Sequence, residues 1–166
     1  MPREAGRAIG YAELVKARLE REGMVDIPSS GISMFPVIRS GDLCRFVPLG
    51  GKMPKPGDIL LFADREGRLI GHRLLRVEHG PSGTRYILKG DTNRLPDEAV
   101  EADRILGVLA SITRAPAGEK PRTADANSAP RRWWGVLVRR LPGLSVLLGR
   151  LAESNCSSSV QPARRR

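Results

Sequence analysis

A chain of 166 residues with 40% hydrophobic and 28% charged side chains has room for one domain with a real core and little room for two. Its 18 glycines and 13 prolines speak against a helical bundle and for a turn-rich β body. The net charge of +10 does not belong to that body: residues 1–27 carry five basic and five acidic side chains, residues 28–113 twelve and ten, and residues 114–166 eleven and three.

In chain order, residues 1–26 form an N-terminal helical segment. Within them "AIGYAELVKARLERE" sets Tyr11, Val15 and Leu19 four apart among charges, and Gly23 closes the helix. From residue 27 to 113 short apolar runs alternate with turn signals. The runs are "DLCRFVPL", "DILLFAD", "RLIGHRLLRVE", "TRYILKG" and "RILGVLASIT", and the turns include Ser40-Gly41-Asp42, Pro56-Gly57-Asp58, Gly80-Pro81 and Gly90-Asp91. This pattern predicts a mainly β domain of antiparallel strands. Residues 114–130, rich in Pro, Ala and Gly, read as a flexible linker. Residues 131–151, "RRWWGVLVRRLPGLSVLLGRL", read as an amphipathic Trp/Arg/Leu helix with Pro142 as a kink, and residues 152–166 as a disordered basic tail.

The longest uncharged stretches of that helix are far short of the ~20 apolar residues that span a bilayer. Tryptophan, arginine and leucine suit an in-plane contact with a membrane surface, and equally a helix docked on protein; both stay open. Nucleic acid is disfavoured, because no aromatic and basic stripe lies on the β-domain. Met1 to Glu22 contains no apolar signal region, so the expected location is cytoplasmic, peripheral to the membrane if the tail touches lipid. Cys44 and Cys156 have no metal-ligand spacing and read as free thiols; no metal or cofactor is expected.

Chemistry concentrates in a few residues. "SSGISMFPVI" places Ser29, Ser30 and Ser33 before an apolar run, which suits a loop and equally a nucleophile. A serine hydroxyl needs an adjacent base. Of the five lysines, Lys16 and Lys120 lie outside the β-domain, and Lys52 and Lys55 sit in a Gly/Pro-rich connection. His72 of "RLIGHRLLRV" has the better setting, since a period of two puts Ile70, His72 and Leu74 on one strand face, where burial favours the neutral imidazole. Alone it better suits a core histidine satisfied by a backbone carbonyl. Asp91 and Asp97 of "LKGDTNRLPD" are candidates to orient that imidazole, although both also suit turn and cap chemistry.

The blocks "SGISMFP", "PGDILLF", "GHRLLRV", "LKGDTNRLPD" and "ILGVL", in this order over residues ~27–113, resemble the signal peptidase I clan of serine peptidases. The likeness is to the branch of archaea, the endoplasmic reticulum and some spore-forming bacteria, which uses a serine and a histidine. The resemblance implies a strongly curved antiparallel β-structure, Ser33 as nucleophile, His72 as general base, and Asp97, ahead of Asp91, as the supporting carboxylate. It also implies an acyl-enzyme mechanism on a protein or peptide substrate with small residues before the cut. The Ser33 N–H is the first oxyanion donor and Ser30 the candidate second. Signal peptidases commonly carry a serine two positions before the nucleophile. Here Gly31 stands there, which resembles the Gly-x-Ser-Met of the self-cleaving SOS repressors. The alternatives are therefore a catalytically inactive or a self-cleaving regulatory module of the same fold.

Overall fold

The computed structural model describes residues 10–157 apart from 82, 117, 127 and 142. Helix α1 (Tyr11–Glu22) buries Val15 and Leu19, the four-residue stripe of the sequence, and leaves Tyr11 exposed. It ends at Gly23, whose φ of 71° lets its N–H reach back to the Leu19 carbonyl.

Strands β1 (Val25–Pro28), β2 (Leu43–Val47), β3 (Ile59–Ala63), β4 (Leu69–Gly80), β5 (Gly83–Lys89), β6 (Val100–Glu101), β7 (Ile105–Arg114) and β8 (Arg122–Asp125) form one antiparallel sheet. Its order is β1-β2-β7-β3-β4-β5-β6, with β8 added to β7. The five apolar runs became β2, β3, β4, β5 and β7. Register shifts at Arg45/Phe46, Leu61/Phe62 and Leu74/Arg76 bend neighbouring strands and curl the sheet into a half-barrel.

β3 explains the two cores. Four of the residues in its "ILLFA" run are buried, because both faces of this strand are covered. Ile59 and Leu61 join α1, Met34, Phe46 and Ile112 on one side. Leu60 and Phe62 join Leu74, Tyr86, Leu88 and Val100 on the other.

Four boundaries differ from expectation. The sheet begins at Val25, two residues before 27, because β1 pairs with β2. The linker assigned to 114–130 contains β8, whose Thr123 hydroxyl meets that of Thr113 at 2.8 Å. This edge strand buries almost nothing, so no hydrophobic alternation announces it; backbone pairing and polar contacts hold it. The single helix expected over 131–151 is two, α2 (Ala129–Arg140) and α3 (Leu144–Ser157). The break falls around position 142, where the sequence has a proline that lacks the N–H a continuous helix needs. α3 also runs into the tail assigned to 152–166, of which 158–166 lie outside the described residues. Among the described residues no helix is long and apolar enough to cross a membrane.

Candidate active site

The loop from Ser29 to Gly41 joins β1 to β2 and is closed at its base, where the Ser29 N–H donates to the Asp42 carbonyl and the Gly41 N–H to that of Ser29. The Ser29 hydroxyl donates to the Arg39 carbonyl, so this serine serves the loop. Met34, Val37 and Ile38 plug into the core. The Phe35–Pro36 peptide is cis. Gly31, at φ 84°, occupies a left-handed conformation that few other residues adopt.

An ion pair braces the loop from below. Asp42 is 2% exposed and accepts two hydrogen bonds from Arg114, at 2.7 and 2.6 Å, plus the Arg39 N–H at 2.8 Å. Burial pushes the Asp42 carboxyl upward, but the Arg114 and Arg39 hydrogen bonds outweigh it and hold the group below its ordinary value.

The loop carries Ser33 to β4. The Ser33 hydroxyl lies 3.1 Å from His72 Nε2, and His72 Nδ1 lies 2.6 Å from Asp97 Oδ2. His72 is 6% exposed, pairs across strands with Leu60 and meets the Phe62 ring edge-on at 6.2 Å. The apolar strand face read from Ile70, His72 and Leu74 therefore exists. Asp97 is fixed by its own N–H, which donates to the Leu88 carbonyl at 2.8 Å. With Asp97 accepting from Nδ1–H, the lone pair at Nε2 faces the Ser33 hydroxyl, which donates to it.

Asp91 is elsewhere. It is 1% exposed and bound by Arg73 Nε at 2.8 Å and Nη2 at 2.7 Å, with Trp134 Nε1 from α2 donating at 3.1 Å. Arg73 follows His72 in β4 and so points to the opposite face, and its third contact is the Gly57 carbonyl at 2.9 Å. Of the two aspartates only Asp97 meets His72. Ser30 is exposed and lines the cleft, with no hydrogen bond to Ser33 among the described residues. Lys89 donates to Ser145 of α3 at 3.0 Å, away from the serine.

Sequence reasoning missed three supports: Arg73, Thr92 and Trp134. The Thr92 N–H donates to the Ser33 carbonyl at 3.0 Å and its hydroxyl to the Ile32 carbonyl at 3.3 Å. The Asp91 anchor thus fixes the next residue, and that residue holds the Ser33 backbone. Gly90 is required at the same place, since a Cβ there would stand 2.9 Å from the Ser33 carbonyl oxygen. A signal was available for Arg73, because an arginine inside an apolar strand needs a buried carboxylate. Trp134 carried none, because its partner is 43 residues away.

A cleft of about 300 Å³ opens beside the serine, walled by Ile27, Met34, Phe46, Leu61, Leu69 and Ile70, with Ser33 and His72 at one side. Cys44 also lines it, but burial, aided by Asp42, pushes its thiol up to about 12 and keeps it protonated and inert. No protein-family model matches this chain, and no curated protein matches it either.

Proposed function

We propose that the chain is a serine endopeptidase of the signal-peptidase type, Ser/His branch, acting on an extended peptide laid in the apolar cleft. The observation that carries the reading is the continuous line Ser33 Oγ, His72 Nε2, His72 Nδ1, Asp97 Oδ2, with contacts of 3.1 and 2.6 Å. A histidine buried only for packing has no need of both a hydroxyl and a carboxylate, and the sequence separations of 39 and 25 residues argue against a local turn device.

In the reaction His72 Nε2 takes the Ser33 hydroxyl proton as Oγ bonds to the scissile carbonyl carbon. Asp97 holds the imidazole's orientation and stabilises its protonated form. The Ser33 N–H, which has no acceptor among the described residues, is the first donor for the oxyanion. His72 then returns the proton to the departing amine as the C–N bond breaks, leaving an ester on Ser33. Water, deprotonated by His72, attacks that ester and frees the acid and the serine. The small apolar cleft supports a substrate with small side chains before the cut, as the resemblance implies.

The test incubates purified wild type, Ser33→Ala and His72→Ala with a membrane-protein precursor, and each alone, with mass spectrometry of acid-quenched mixtures. The expected results are a cleaved precursor and an acyl adduct on the Ser33 peptide, both lost in the variants, with turnover down about 10⁴–10⁶-fold. Cleavage that survives both substitutions would sink the assignment. Cleavage of the chain itself, absent in Ser33→Ala, would replace it with the self-cleaving regulator.

A further inference from the structure

α2 and α3 each turn one side to the sheet. Trp134, Gly135 and Val138 face inward from α2; Ser145, Leu148 and Ala152 do so from α3, where Gly149 approaches the Thr92 carbonyl. The opposite side is apolar as well. Trp133 is 74% exposed, Leu137 43%, Leu141 51% and Leu147 55%. Trp133 and Leu137 lie four residues apart on α2 and so share one stripe, and Leu141 follows directly after the helix. Arg140, three residues beyond Leu137, and Arg150, three beyond Leu147, are exposed on the same sides.

Together α2 and α3 carry five arginines and a single carboxylate, Glu153. That charge decides what covers the stripe. In a symmetric dimer of this chain the arginines of both copies would meet with only one glutamate from each α3, Glu153, to set against them. Nucleic acid would satisfy the arginines and leave the leucines in water. A surface that offers acidic groups above an apolar layer satisfies both.

We propose that the outward side of α2 and α3 rests on an anionic membrane surface, with Trp133, Leu137, Leu141 and Leu147 entering the headgroup boundary and Arg140 and Arg150 pairing with lipid phosphates. Trp at the interface and leucine below it follow the preferences of in-plane helices. The helices lie on the surface and do not cross it. The inner side stays on the sheet, so the Asp91 and Thr92 supports remain intact while the chain is bound.

The experiment sediments the full chain with vesicles of phosphatidylcholine alone and with 30 mol% phosphatidylglycerol, at low and high salt. The expected result is retention on the anionic vesicles about tenfold above that on neutral ones, reduced by salt. Arg140→Gln and Arg150→Gln should each weaken it about fivefold. Leu137→Ser and Leu147→Ser should each weaken it about tenfold, with circular dichroism melts unchanged because both side chains are exposed. Tryptophan emission should shift to the blue on anionic vesicles and lose that shift in Trp133→Ser. Equal retention on both vesicles at all salts, or none on either, would overturn the proposal. So would a dimer by light scattering that Leu137→Ser dissociates while vesicle binding is absent. Ser33→Ala should bind vesicles like wild type, so this reading and the peptidase reading fail separately.

Discussion

His72 and Arg73 are neighbours on one strand, each meets an aspartate from the segment after β5, and the two pairs could hardly differ more in purpose. The His72–Asp97 pair is open at one end: Nε2 faces a serine hydroxyl beside a cleft, and Asp97 keeps 22% of its side chain exposed. The Arg73–Asp91 pair is closed, with side chains 4% and 1% exposed and the guanidinium tied to Asp91 and the Gly57 carbonyl. Strand alternation puts the two pairs on opposite faces. The first can pass a proton; the second, a guanidinium that has donors only and spends them on Asp91 and the Gly57 carbonyl, can only hold position. Its task is legible in what it holds, since Thr92 next to Asp91 carries the Ser33 backbone.

Exchanging the carboxylates for amides separates the pairs most sharply. Asp97→Asn should lower turnover about 10⁴-fold by favouring the wrong imidazole tautomer, with the melting temperature little changed, as steady-state kinetics beside calorimetry would reveal. If Asp91→Asn produced that kinetic loss with stability intact, the division of labour drawn between the pairs would be wrong. Arg73→Met leaves a buried, unpaired Asp91 and should cost about 3–5 kcal/mol in denaturant unfolding. The double variant Arg73→Met/Asp91→Leu should regain most of that loss, because no charge is then stranded.

A smaller effect comes from the brace under the Ser33 loop. Asp42 has its folded value held below the ordinary carboxylate range, so the folded state binds its proton less readily than the unfolded chain. Its contribution is complete above the unfolded value of about 3.9 and disappears as pH falls through the lower folded value. Asp42→Asn should cost about 2 kcal/mol near neutral pH, and the gap to wild type should shrink below about pH 4 in thermal melts. A gap that grows with acid would reverse the sign given to this group.

Much of the fold was legible because it rests on local patterns. The four-residue stripe of α1 and the five apolar runs became elements, since periodic burial leaves a periodic sequence. β8 was not legible, for it buries almost no side chain, and the division into α2 and α3 was read only as a kink. In the site, Ser33, His72 and Asp97 were named from residue type and from the order of the blocks. Ser30 and Asp91 were named on the same grounds, yet one lines the cleft with no hydrogen bond to Ser33 among the described residues and the other turned to the far face.

Residue identity by itself determined which groups could react, which strand face His72 occupies, and that the basic excess belongs to the C-terminal third. Only the tertiary structure decided which aspartate meets His72 and which meets Arg73, and that Trp134 turns inward while Trp133 stays out. The physical reason is that a carboxylate's role depends on the partner within hydrogen-bond reach, and here partners 18 to 43 residues apart meet only when the sheet curls and α2 closes against it.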